Sequence, residues 1–178
     1  MSEKAVVIDA PGGPEQLKLV EVDVGAPGPG EIRIRHAACG LNYIDVYQRT
    51  GLYPSQLPAG LGEEAAGVVE ALGDGVTGLK VGDRVVYNGL QGGYASHRNA
   101  PAEKMVLIPD YVKDEDAAAV FLKGLTVWML FGTWRHVRHR GVLPHTADNA
   151  ATDAAAAVAA DLHHRLQAEL RSASDTSG

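Results

Sequence analysis

The sequence predicts a mainly β, α+β fold. The core is a small, partly open antiparallel barrel interrupted by one short helix, followed by a longer helix and an alanine-rich C-terminal helix. Three observations carry this reading. Nineteen of the 21 glycines precede residue 133 and fall between short β-rich runs, as they do where strands are joined by tight turns. Residues 31–38 alternate Ile32 and Ile34 with Arg33 and Arg35, the period of two of a half-buried strand. From Lys113 the period changes: the carboxylates of Lys113-Asp-Glu-Asp116 precede a largely apolar stretch, 117–131, rich in helix formers.

In chain order, residues 4–9 form a strand and Pro11-Gly-Gly-Pro14 a turn, followed by a strand at 17–23 and the loop Gly25-Ala-Pro-Gly-Pro-Gly30. After the strand at 31–38 comes a short helix at 42–50. Asn42, Asp45 and Arg49 recur there at helical spacing on one side, with Tyr43, Ile44, Val46 and Tyr47 elsewhere. Gly51 stops the helix in the C-cap manner, and Tyr53-Pro54 turns the chain away. A second glycine cluster, Gly60 and Gly62, precedes Glu63-Glu64. Residues 65–72 form a strand ending in the turn Gly73-Asp-Gly75. Residues 84–88 and 94–98 read as a hairpin around Leu90-Gln-Gly-Gly93, and 105–108 is the last strand before Pro109.

Composition limits the function classes. A chain of 178 residues is one domain with an appendage. The net charge of −6 argues against a nucleic-acid surface. A single cysteine, Cys39, excludes an internal disulfide and a cysteine-rich zinc site. The start Met-Ser-Glu-Lys has no apolar leader and no run reaches membrane-spanning length. A reduced, cytoplasmic location without membrane contact is expected.

Six segments stand out in turn: Gly40-Leu-Asn-Tyr-Ile-Asp45, Arg49-Thr-Gly-Leu-Tyr-Pro54, Gly62-Glu-Glu-Ala-Ala-Gly67, Val81-Gly-Asp-Arg-Val85, Gly92-Gly-Tyr-Ala95 and Phe121-Leu-Lys-Gly-Leu-Thr126. Together they resemble the zinc-free quinone oxidoreductase (zeta-crystallin-like) branch of the medium-chain dehydrogenase/reductase superfamily. The resemblance implies a GroES-like domain, alcohol dehydrogenase-like, over residues 1–112. It also implies a bridging helix at 113–132, NADPH as cofactor, and a quinone or enone as substrate. The Rossmann half that should follow is expected to be absent. Such a domain needs on the order of 150 residues, and about 45 remain. That tail, 133–178, has no aromatic after Trp134, only Gly141 and Gly178 among glycines, and no G-x-G-x-x-G. It reads either as a truncated gene ending in another frame or as an internal deletion. Asp153 can cap a helix at about 153–171 with Val158, Leu162, Leu166 and Leu170 spaced by four, and 172–178 reads as disordered.

Zinc-dependent members of the superfamily hold their metal with a Cys in a Gly-x-Cys-His-x-Asp turn and a His in Gly-His-Glu. Asn42 and Glu63 stand at those positions here, and Cys39 lies three residues too early, so no zinc is expected. Without a metal, carbonyl reduction relies on hydrogen-bond donors. The resemblance assigns that role to Asn42, Tyr47 and Tyr53, and assigns Asn42, Lys123 and Thr126 to the cofactor. Asn42 equally suits a helix N-cap, and Tyr47 and Tyr53 equally suit amphipathic core positions. Asp45 reads as an anchor for the helix, and Glu64 as a member of a buried network, since a carboxylate among Ala65, Ala66 and Gly67 needs a partner. His136 and His139 sit among Arg135, Arg138 and Arg140, which suggests a solvated basic face. Two readings follow. One is the catalytic domain of an NADPH-dependent quinone reductase, active only with its nucleotide half. The other is a non-catalytic association module, a homodimer through the helix at 117–131 or 153–171.

The zinc reading has a direct check. Elemental analysis of the purified chain is expected to give well under one zinc per chain, and stoichiometric zinc surviving dialysis against a chelator would overturn it.

Overall fold

The computed structural model describes residues 2–133, with side chains described to residue 129. The tail from residue 134, with the expected helix at 153–171, the segment 172–178, and His136 and His139, lies outside the described residues. The chain divides into two compact units, Met1–Ala119 and Val120–Gly178.

The first unit holds eight strands, β1 (Glu3–Ile8), β2 (Lys18–Val22), β3 (Glu31–Gly40), β4 (Ala59–Gly60), β5 (Glu64–Leu72), β6 (Arg84–Asn88), β7 (His97–Pro101) and β8 (Val106–Leu107). Helix α1 (Tyr43–Thr50) lies between β3 and β4 in the chain, and helix α2 spans Asp114–Thr133. The strands form two antiparallel sheets, ordered β2-β1-β4 and β7-β3-β5-β6-β8. Ile32 and Ile34 are fully buried, and Arg33 and Arg35 point the other way to Glu70, in keeping with the period of two. Ile32 and Ile34 join Ala65, Val69, Val85, Tyr87 and Ala100 in the main core. Each such isoleucine contributes about 1.5–3 kcal/mol by burial. A smaller core of Ile8, Ala59 and Leu61, with Tyr94 against it, sits at the three-stranded sheet.

The expected hairpin of 84–88 with 94–98 does not form. β6 pairs with β5 and β8, and the later strand begins at His97 and pairs with β3. Residues 94–96 are committed elsewhere: Val6 N–H donates to Tyr94 O and Ser96 N–H to Lys4 O, each at 2.7 Å. The segment thus bridges to β1 before it can pair with β6. β4 was not foreseen, because two residues carry no periodicity.

Gly51 ends α1 in the left-handed region, φ +81°, as a C-cap glycine should. The start of α2 is fixed by Arg84, whose guanidinium donates to Asp114 Oδ1 at 2.7 and 2.9 Å and to Val112 O at 2.6 Å. Ala117 and Ala118 are buried. In the second unit α2 is buried on fewer sides than its composition suggests, with Leu125, Trp128 and Met129 exposed. No helix among the described residues is long and apolar enough to cross a membrane.

One polar group inside the barrel has a thermodynamic consequence. The His36 ring donates from Nδ1 to Ala95 O at 2.6 Å, so Nε2 accepts the Tyr87 hydroxyl at 3.0 Å. Arg98 donates in turn to that hydroxyl and to Leu90 O. Burial, with the Arg98 charge adding to it, pulls the His36 pKa down to about 4 from 6.5. The folded state therefore refuses a proton that the unfolded chain accepts. Stability is full above pH 6.5 and falls as the pH drops toward 4, by up to about 3 kcal/mol. Urea denaturation across that range is expected to show the loss, and His36→Gln should flatten it.

Candidate functional site

The site is built where β3 ends. Gly40 is the register partner of Glu64, and a Cβ on Gly40 would stand 2.3 Å from both Glu64 Oε2 and Ala118 O. Only glycine lets the chain pass there. Two residues later Asn42 caps α1 with extended backbone, φ −130°.

Helix α1 is amphipathic in the reverse sense. Its buried residues are Asp45 and Gln48, 4% and 8% exposed, whereas Tyr43 is 74% exposed. The polar side meets other polar groups. Asp45 Oδ2 accepts the Asn42 backbone N–H at 2.9 Å and the Tyr94 hydroxyl at 2.6 Å. Asn42 Nδ2 donates to Oε2 of the fully buried Glu64 at 2.9 Å. Gln48 Nε2 donates to Glu63 Oε1, and Arg49 Nη1 to Gly12 O at 2.7 Å. Burial and the bond to Asp45 push the Tyr94 hydroxyl far above its usual pKa, which keeps it a donor. Asp45 Oδ1 and Gln48 Oε1 have no hydrogen-bond partner among the described residues.

The outer side carries an aromatic ledge. Tyr47 lies between Tyr43 and Tyr53, with ring centroids 5.4 Å away on each side and the rings tilted by 65° and 59°. Tyr53 N–H donates to Tyr47 O at 3.1 Å, which ties the post-helix turn to α1. Leu41, Leu52 and Leu57, all exposed, flank the tyrosines along the chain. Gln91 Nε2 holds Ser55 Oγ at 3.0 Å, pinning the loop that follows.

Of the residues singled out from sequence, the structure brings Tyr47 and Tyr53 together and turns Asn42 toward Glu64. Lys123 and Thr126 occupy exposed positions of α2 in the second unit, and Thr126 Oγ1 donates back to Leu122 O at 3.0 Å. Asp45 anchors the helix through backbone, and Glu64 has its partner in Asn42. The Cys39 thiol donates to Gly93 O at 2.9 Å, and burial pushes its pKa up. No group of three metal-ligating His, Cys, Asp or Glu side chains occurs among the described residues.

Sequence reasoning missed Tyr94 and Gln48. Tyr94 reaches Asp45 across 49 positions, and its only signal was its place in Gly92-Gly-Tyr-Ala95. Gly73-Asp-Gly75-Val-Thr-Gly78 also has G-x-G-x-x-G spacing and follows β5. It lies in turns and opens no helix, so it lacks the helix N-terminus that gives this spacing its phosphate chemistry.

Tyr94→Phe removes one of the two groups donating to Asp45 Oδ2. Leaving a buried acceptor short of a donor costs about 1–3 kcal/mol, and thermal denaturation is expected to show it.

Residues 28–110 match the family model of the alcohol dehydrogenase GroES-like domain. Over 121 residues the chain is 52% identical to a quinone oxidoreductase of Salmonella typhimurium, covering 67% of this chain and 37% of that protein. A quinone oxidoreductase of Pseudomonas aeruginosa is 50% identical over 129 residues, 71% of this chain and 40% of that protein. Among solved structures, Escherichia coli quinone oxidoreductase complexed with NADPH superposes with a TM-score of 0.70 at 46% identity, covering 72% of this chain and 40% of that one. The chain thus spans about two fifths of the length of these relatives. It belongs to the medium-chain dehydrogenase/reductase superfamily, in its quinone oxidoreductase group, and carries that group's GroES-like domain.

Proposed function

We propose that this domain supplies the substrate side of a cytoplasmic, zinc-free, NADPH-dependent quinone reductase acting on a quinone or enone. The observation that carries the reading is the reversal of α1. A soluble domain that buries Asp45 and Gln48 while exposing Tyr43 and Tyr53 gives up apolar burial to present aromatic surface. A quinone is flat, apolar on its faces and polar at two carbonyl oxygens. The tilted tyrosines offer ring faces to stack on and hydroxyls to donate to a carbonyl.

Tyr47 and Tyr53 are the groups that would meet developing charge on a substrate oxygen, and the ledge around them would exclude water. Zinc-free chemistry is supported by what replaces the ligands: the Asn42 amide donates to Glu64 and the Glu63 carboxylate accepts from Gln48. The family resemblance gives Asn42, in the first unit, and Lys123 and Thr126, in the second, as candidate contacts for the nicotinamide end of the cofactor, which when bound supplies the hydride. They are polar and uncharged or cationic, and none of them opens a glycine-rich phosphate loop.

A second reading, an association module, is favoured by one observation. Leu125, Trp128 and Met129 are exposed at i, i+3 and i+4 of α2, a stripe suited to pairing with another helix.

Calorimetric titration of the chain with 9,10-phenanthrenequinone tests the first reading. Saturable binding is expected, weakened about three- to tenfold by Tyr53→Ala, the cost of one aromatic stacking contact. An absence of saturable binding would sink it. The described residues do not supply the pyrophosphate contacts, worth about 1.5–3 kcal/mol each. No measurable NADPH-dependent quinone reduction by the chain alone is therefore expected. Micromolar NADPH binding with turnover lost in Tyr53→Phe or Asn42→Ala would reverse that expectation.

A further inference from the structure

Helix α1 places Tyr43 and Tyr47 one turn apart, at i and i+4, so both stand on one face. Tyr53, in the turn after the helix, continues the row, and Tyr47 is the middle ring, 5.4 Å from its neighbour on each side. The rings differ in how much of each a ligand can reach. Tyr47 is half-buried between the others, Tyr53 is 49% exposed, and Tyr43, at the far end, is 74% exposed. An exposed side chain ordinarily exchanges rotamers freely. Tyr43 is held instead, because it meets Tyr47 edge to face with the ring planes 65° apart. The charged groups of the helix are engaged elsewhere, Asp45 with Tyr94 and Arg49 with Gly12 O, so the row itself carries no charge. A row of this kind measures length. A single quinone ring is about as wide as the spacing between neighbouring tyrosines. Seated at Tyr53 it meets that ring and Tyr47 and stops short of Tyr43. Three fused rings reach the far end.

We propose that Tyr43 is a specificity-determining contact residue: it completes the row for a fused polycyclic quinone and lies beyond the reach of a monocyclic one. The inference deepens the quinone reductase reading and rests on it, because it takes Tyr53 and Tyr47 as the end of the row that receives the carbonyl. What Tyr43 contributes is the face and edge of its ring. Phenylalanine at this position therefore preserves the preference, and a side chain without a ring loses it.

The test is calorimetric titration of the full chain with two quinones, 9,10-phenanthrenequinone with three fused rings and duroquinone with one. Each variant is compared with the parent chain on the same ligand, so the different carbonyl placement in the two quinones cancels. Tyr43→Ala is expected to weaken phenanthrenequinone about three- to tenfold, the loss of one aromatic contact, and duroquinone by less than about twofold. Tyr53→Ala should weaken both quinones by similar factors. Tyr43→Phe should stay within about twofold of the parent chain on both, since the ring is kept. Tyr43→Leu, which keeps apolar bulk without a ring, should behave as Tyr43→Ala and supplies the answer if Tyr43→Ala does not fold. Equal losses on the two quinones in the ring-deleted variants, no loss on phenanthrenequinone, or a Tyr43→Phe variant as weak as Tyr43→Ala would each overturn the proposal and leave the functional reading standing. A parent chain that binds neither quinone would instead sink the functional reading, and this inference with it.

Discussion

The pairing of β3 with β5 ends on Gly40 opposite Glu64, and the position of α1 follows from that pair. A side chain on residue 40 would collide with backbone at Ala118 as well as with Glu64. The glycine therefore lets three things coincide: the end of the ladder, the first buried turn of α2 and the N-cap of α1. Helix α1 is then fastened at its other end, where Arg49 reaches Gly12 O and Gly12 N–H returns to Arg49 O at 2.9 Å. Eight residues make a helix too short to hold itself in water. It persists because both ends are tied to the barrel.

That fastening explains how the helix can bury its polar side. Placing an amide or carboxyl group out of water costs several kcal/mol unless it finds partners. Asp45, Gln48, Asn42, Glu63 and Glu64 find most of theirs in one another and in Tyr94. Tyr43 is consequently left outward, with Ile44, Val46 and Tyr47 only half-buried, and the tyrosine ledge is the result. A conventional amphipathic helix at this place would bury the ledge and leave nothing for a flat ligand to stack on. The polar cluster and the aromatic surface are thus two sides of one choice, made by the eight-residue sequence from Tyr43 to Thr50.

How much of this could be read in the sequence depends on the range of each interaction. Ile32 and Ile34 declared their side of β3 because the period of a strand is local. Gly51 declared the end of α1 because a left-handed residue there is a backbone requirement. Glu64 betrayed a partner because a carboxylate between alanines and glycine needs one. The failures are long-range. The hairpin expected after Asn88 lost to the bridge between residue 95 and β1, a pairing separated by 90 positions that no local pattern records. Tyr94 was invisible as a partner of Asp45 for the same reason. The exposure of Trp128 is not legible either, because an apolar stretch shows that a helix favours cover and does not show on how many sides it finds it.

Electrostatics at the helix ends points to the same division of labour as the ledge. A phosphate seeks the N–H groups at a helix N-terminus, where the dipole also favours negative charge. Both helices among the described residues already have acidic groups in their first turns: Asp45 folds back on α1, and Asp114, Glu115 and Asp116 crowd the first turn of α2. An incoming phosphate would meet like charge at α2 and a carboxyl group already hydrogen-bonded at α1. The Gly73–Gly78 spacing offers no alternative, because turns without a helix behind them present neither the aligned amides nor the dipole. Neither helix N-terminus among the described residues therefore offers the anionic end of a dinucleotide a place, whereas the function proposed above asks of this domain only that it take an uncharged aromatic ring. Among its described surfaces, the ledge of Tyr43, Tyr47 and Tyr53 is where such a ring has both faces to stack on and hydroxyls to meet its oxygens.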